Sequence, residues 1–254
     1  MFTKESGYRL RALVRHTLIL IMCDRGPIVA FIAMPMLMMV AFRPVYTASN
    51  GTVSGTVRVT IGAMILFSLI TLNIVGQNLF NERTWRTWDR LRTSPASSIE
   101  LLLGKVIPFY LLLLGQQAIL LLFSIAVFRL HINGPADTLV IMLSWSAAVL
   151  AMGLMLASVV RTLGQLATIT DIGAITITVL GGGLSPVHEM PGWMQSLAPY
   201  SPGYWAIGGY QEAISGRFDA ALLRPVAVLV AIAISAMTVA AWRTTSRFGA
   251  SRQP

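Results

Sequence analysis

Charge is scarce in this chain of 254 residues. Lys, Arg, Asp and Glu supply only 11% of it, against about 25% in an ordinary soluble domain, while 55% is hydrophobic and mean hydropathy is +0.70. Such a composition excludes a soluble globule. Cysteine is nearly absent: Cys23 alone cannot close an internal disulfide, and there is no CxxC pair or His/Cys cluster at metal-ligand spacing. The ten acids are scattered one or two per segment, which counts against enzymes that need clustered acids or a metal at the membrane surface. No GxxxxGK[ST] stretch is present among these residues, so they hold no nucleotide phosphate loop.

What is present is a series of long uncharged runs. A helix needs roughly 17 to 25 mostly apolar residues to cross the hydrocarbon core, because its backbone polar groups must be satisfied internally there. The gaps between charges place six such spans, at 26–42, 59–81, 106–128, 138–160, 162–187 and 225–242. The fold class expected is therefore an all-α integral membrane protein, read as a single transmembrane unit over 1–254. The net charge of +9 could suit nucleic acid or an anionic surface. Its clustering around apolar runs selects membrane lipid and argues for no nucleic acid partner.

Orientation follows from the Lys/Arg bias of short flanking segments. With six spans, fourteen basic residues fall on the side of the two termini and five on the other (Arg43, Arg58, Arg129, Arg217 and Arg224). Both termini are expected in the cytoplasm of a prokaryotic cell, in a multi-pass protein of the inner membrane. The N-terminal apolar stretch Thr17 to Cys23 is short, meets Asp24 and lacks a small-residue cleavage pattern, so it is expected to stay in the mature chain.

Three segments outside the spans carry pattern. In 1–25, Leu10, Leu13, Val14, Thr17, Leu18 and Ile21 recur at helical spacing, with Arg11 and Arg15 on another face. That pattern describes an amphipathic helix on the cytoplasmic leaflet. In 82–105, Glu82 and Arg86, then Arg86 and Asp89, stand at ion-pair spacing, Trp85, Trp88 and Leu91 form an apolar stripe, and Ser94-Pro95 ends the helix. Ser97 with Glu100 is a capping box for the next span. A capped helix of this kind, carrying charge and tryptophan, suits a docking surface for a soluble partner. In 188–217, the uncharged stretch Met190 to Gln211 is long enough to cross, yet it is broken by Pro191, Pro199, Pro202 and four glycines and is rich in aromatics such as Trp193 and Tyr204. It reads as two short re-entrant helices, the second opened by Ser201-Pro202 and stopped at Gly216.

Asp171 is the only acid deep inside a span, about 15 Å beyond Arg161 at 1.5 Å per residue. An intramembrane carboxylate is a functional candidate by default. It suits either a polar contact to Thr168, Thr170 or a neighbouring helix, or a point on a substrate path. His16, His131 and His188 fall at span boundaries as interfacial histidines. The methionines, Met34, Met36, Met38 and Met39 among them, read as packing, not as soft metal ligands.

The segment Glu82-Arg83…Thr87-Trp88-Asp89-Arg90-Leu91-Arg92-Thr93-Ser94-Pro95…Glu100-Leu-Leu-Leu-Gly-Lys105, with Leu184-Ser-Pro186…Met190-Pro191…Leu197…Pro199…Ser201-Pro202, resembles the type 2 ATP-binding-cassette (ABC) permeases of exporter type. The likeness covers nearly the whole chain, including Pro35 in the first span; Arg86 stands where that family usually has glycine. The resemblance implies a transport subunit, not an enzyme, paired with a second permease (the same or a sister chain) and with two copies of a cytoplasmic ABC ATPase. That partner would bind the ATP and Mg, leaving no cofactor in this chain. It also implies that the N-terminal helix and Glu82, Arg83, Trp85, Arg86, Trp88, Asp89, Arg90 and Arg92 couple to the ATPase. Pro191, Trp193, Pro199, Pro202 and Tyr204 would form a re-entrant gate over a path touching Asp171. The cargo implied is a hydrophobic or amphipathic drug, antibiotic or lipid. The alternatives are a membrane-embedded lipid-modifying enzyme or a proton-coupled carrier using Asp171.

Overall fold

A computed structural model describes residues 11–15, 17, 19, 25–84, 98–216 and 222–250, with side chains at all of these except 25, 27, 28, 50, 74, 75, 78–84, 98–103, 105 and 244–250. The described residues form helices and turns, with no strand among them. The helices are α1 (Arg25–Asn50), α2 (Thr52–Thr84), α3 (Ser98–Phe128), α4 (Pro135–Val159), α5 (Leu163–Leu180), the short α6 (Gly192–Leu197), α7 (Pro202–Ser215) and α8 (Leu223–Ala250). Single 3-10 turns at Val187–Glu189 and Ala198–Tyr200 flank α6. Six of these helices, α1 to α5 and α8, are long and apolar enough to cross a membrane.

Helix ends depart from the charge-bounded spans where a charge finds a partner. The first span, expected to stop at 42, continues through Arg43 and Pro44 to Asn50, and the second, expected from 59, already starts at Thr52. Arg43 donates Nε to Thr56 Oγ1 at 3.3 Å and lies 4.8 Å from the centre of the Phe128 ring. Arg58 donates to the Gly182 carbonyl at 3.1 Å. A guanidinium held in this way does not have to end the helix that carries it. The fifth span, expected over 162–187, stops at Leu180, because Gly181–Gly183 folds back on the bundle. A Cβ on Gly181 would stand 2.6 Å from the Gly203 carbonyl carbon of α7, and one on Gly62 of α2 would stand 2.5 Å from the Gly183 oxygen. Only glycine permits three backbones to meet this closely. The sixth helix overruns its expected 225–242 at both ends.

α2 and α4 form the centre: 67% and 56% of their most apolar stretches are buried, against 11% for α1 and 22% for α5 and for α8. In lipid the apolar surface of a helix gains little by meeting another, so packing and interhelical hydrogen bonds hold the bundle. Trp145 of α4 is fully buried and donates Nε1 to Ser68 Oγ of α2 at 2.8 Å. The hydroxyls of Thr60 and Ser124 meet at 2.9 Å between α2 and α3. Thr71 Oγ1 donates to Gln116 Oε1 at 3.0 Å, and Gln116 Nε2 donates to the Phe31 carbonyl of α1 at 3.2 Å. The four methionines of α1 do not converge, since Met34 is exposed while Met39 is fully buried.

Candidate functional site

The connections α1–α2 and α3–α4 and the residues 181–201 lie at one end of the bundle, and the end of α2, the start of α3 and the α4–α5 turn at the other. α7 belongs wholly to the first end. At its start, Ser201 Oγ donates to the Ile177 carbonyl of α5 at 3.1 Å. At its finish, Gly216 adopts the left-handed conformation (φ 72°) that closes the helix. There Asn133, in the α3–α4 connection, donates its backbone N–H to the Ile214 carbonyl at 3.0 Å. The chain enters and leaves α7 at the same end without crossing. Ser201 does stand at the N-cap with Pro202 first in the helix, but its hydroxyl serves α5 and makes no capping bond to α7 itself.

Between those ends α7 is buried. Gly203, Ala206, Ile207, Gly209, Tyr210, Ala213 and Ile214 face the core formed by α2, α4, α5 and α8. Tyr210 is fully buried and its hydroxyl donates to Gln117 Oε1 of α3, while Gln117 Nε2 donates to Ser146 Oγ of α4 at 2.6 Å. One chain of polar groups therefore pins the re-entrant helix to two spans. α6 differs: Trp193 is 65% exposed and Tyr200 just after it 86% exposed, as suits aromatics at a membrane surface. Of the residues expected to form a gate, Pro202 and Tyr204 lie on the packed α7. Pro191 and Trp193 lie on the exposed α6 side, and the Pro199 carbonyl accepts from Trp205 Nε1 at 2.8 Å.

Asp171 is the ninth of the 18 residues of α5, at mid-height, and is exposed on the outside of the chain. Its partner is on a neighbouring helix: Asn73 Nδ2 of α2 donates to Asp171 Oδ1 at 3.5 Å, and Gln77 Nε2 donates to Asn73 Oδ1 at 2.7 Å. Thr170 instead bonds the carbonyls of Leu166 and Ala167 in its own helix. Three polar side chains thus make a row on an outward face where apolar surface would otherwise be expected. Asn73 and Gln77 escape a sequence reading built on charge, since neither interrupts an uncharged run.

At the opposite end, Leu13 and Val14 are half-buried while Arg11 and Arg15 are exposed. A Cβ on Gly104, near the start of α3, would stand 2.8 Å from the Leu13 Cβ. The N-terminal helix is therefore seated against α3. The backbone of Glu82 and Arg83 closes α2; their side chains, and all of Trp85, Arg86, Trp88, Asp89, Arg90, Arg92 and Ser97, lie outside the described residues.

Comparison with known proteins gives a consistent picture. The family model described as "ABC-2 type transporter" matches residues 8–214. The linearmycin resistance permease protein LnrN of Bacillus subtilis (strain 168) is 31% identical over 154 residues, covering 61% of this chain and 40% of that protein. The probable multidrug ABC transporter permease YbhR of Escherichia coli (strain K12) is 27% identical over 144 residues, 56% of this chain and 37% of that protein. The chain thus matches about two-fifths of the length of these curated relatives.

Proposed function

Because this chain belongs to the ABC-2 type transporter family, as an ABC permease, we propose that it is the membrane half of an ATP-driven exporter. The observation that carries this reading is the family match over 8–214, which takes in five of the six apolar helices and the re-entrant segment up to Ile214. A separate ABC ATPase, in two copies, binds ATP and Mg and docks on the cytoplasmic end. A second permease, identical or sister, completes the path. The relatives named for linearmycin resistance and for multidrug transport support a hydrophobic or amphipathic cargo such as an antibiotic, drug or lipid.

In this mechanism closure of the ATPase pair on ATP pushes the segment 82–105 and the N-terminal helix. The seating of Leu13 on Gly104 supports a shared motion of that helix with α3. Tilting of the spans then opens the path beneath α7, whose ties to α3, α4 and α5 make its position depend on theirs. The row Asn73, Gln77 and Asp171 supplies polar contacts along the face from which cargo is taken.

The test is at the docking helix. Interface energy concentrates in a few tryptophan and arginine anchors, each costing roughly 2 kcal/mol or more when truncated, whereas a lone surface ion pair contributes about 0.3 to 0.5 kcal/mol to folding. Trp88→Ala combined with Arg90→Ala is expected to insert at normal abundance but to lose co-purification with the ATPase and stimulation of ATP hydrolysis. Unchanged association and unchanged stimulation would remove this helix as the coupling surface.

A further inference from the structure

At the end of the bundle that carries α7, a cavity of about 440 Å³ opens between the outer part of α2, the loop after α5, α7 and the first turn of α8. Its charged lining is unusual for a membrane-embedded helix end. Arg58 reaches it from α2, Arg224 from α8 and Glu212 from α7. Arg58 spends one donor on the Gly182 carbonyl, at 3.1 Å, and a guanidinium has five. Arg224 lies 5.3 Å from the centre of the Trp205 ring, which holds its fork in place by stacking. Glu212 Oε2 is buried and has no hydrogen-bond partner. No ion pair among the described residues joins Glu212 to either arginine.

A buried acceptor without a donor is rare in a finished structure and calls for something to fill it. Two guanidiniums that line the same cavity suit an oxyanion, which they bind with paired N–H donors. One ligand answers both demands if it carries an oxyanion and an N–H cation a few bonds apart, and at the level of the lipid headgroups that oxyanion is phosphate. The cavity has the size of small-molecule sites, and the helix ends that line it lie where spans leave the hydrocarbon and headgroups begin. We propose that this cavity binds a phosphoethanolamine group, with phosphate held by Arg58 and Arg224 and ammonium donated to Glu212. The source that fits the position is the headgroup of phosphatidylethanolamine in the adjoining leaflet; free phosphoethanolamine shares its chemistry. The site stands apart from ATP coupling and from the Asp171 face, and does not depend on either.

The experiment is native mass spectrometry of the purified full chain, released from vesicles of equal parts phosphatidylethanolamine, phosphatidylcholine and phosphatidylglycerol. The choline headgroup has no N–H to give Glu212, and the glycerol headgroup has no cation. Phosphatidylethanolamine is therefore expected to be retained about tenfold over each, the worth of one charge-assisted hydrogen bond. Glu212→Gln should abolish the preference over phosphatidylcholine, and Arg224→Gln should lower retention of all three lipids. Displacement of the lipid by millimolar phosphoethanolamine would assign the site to the headgroup alone, and resistance would assign it to the intact lipid; both outcomes uphold it. Equal retention of the three lipids by the unaltered chain would overturn the proposal, with no variant needed. An undiminished preference in a monodisperse Glu212→Gln variant would overturn it as well.

Discussion

Pro35 has no backbone N–H to offer the carbonyl of Phe31, four residues earlier in α1. In water the solvent would take that carbonyl; inside a membrane a neighbouring helix has to. Gln116 of α3 does so at 3.2 Å while its own amide oxygen accepts from Thr71 of α2, so a proline in one helix fixes which residue the next but one must present. Gln116→Leu strands the Phe31 carbonyl and is expected to cost about 1–2 kcal/mol, read from unfolding of the purified chain in mixed micelles. In a Pro35→Ala background the new N–H serves Phe31, and the same substitution should cost about 0.5 kcal/mol less or better. A double-mutant cycle without coupling would show that the two features are unrelated.

Among the elements, α7 depends most on what surrounds it. A fourteen-residue helix is near the limit of independent stability even in favourable sequences, and this one contains Gly203, Gly208 and Gly209. Its order comes from the glycine contacts with the end of α5 and from Tyr210. Gly181→Ala places a methyl against the backbone of Gly203 and Tyr204 and is expected to destabilise the chain by about 1–3 kcal/mol. Gly164→Ala, in open space within α5, should be neutral or stabilise by up to about 1 kcal/mol. Thermal unfolding of the two variants side by side checks the contrast, and equal effects would show that the close approach is not what seats α7. These contacts also explain what the sequence does and does not disclose. Uncharged runs announce six spans because lipid tolerates few unpaired charges. They misplace ends at Arg43 and Arg58, whose partners Thr56, Phe128 and Gly182 come from other parts of the chain. They overrun at Gly181–Gly183 because glycine is as uncharged as leucine. Asp171 stands out in sequence as the lone deep acid, while Asn73 and Gln77 become visible only when α2 is laid beside α5.

For the whole molecule, a helix that leaves and re-enters at one end keeps the number of crossings even. Both termini are then expected on one side, and the excess of Lys and Arg in the segments flanking the spans there predicts that this side is the cytoplasm. Cys23, just ahead of α1 in sequence, is expected to react in intact cells with a membrane-permeant thiol reagent and to resist an impermeant one. A reporter fused after Pro254 should be cytoplasmic too. A reporter found outside would mean an odd number of crossings and would overturn the orientation.

The outward row of Asn73, Gln77 and Asp171 bears also on biosynthesis. A newly inserted chain that has met no neighbour presents a carboxylate and two amides to lipid at mid-height, and water or a locally thinned bilayer must follow them there. Covering that face removes the defect. With the second permease proposed above seated on that face, a paired copy and a single one are expected to differ in a property the surrounding bilayer itself can register.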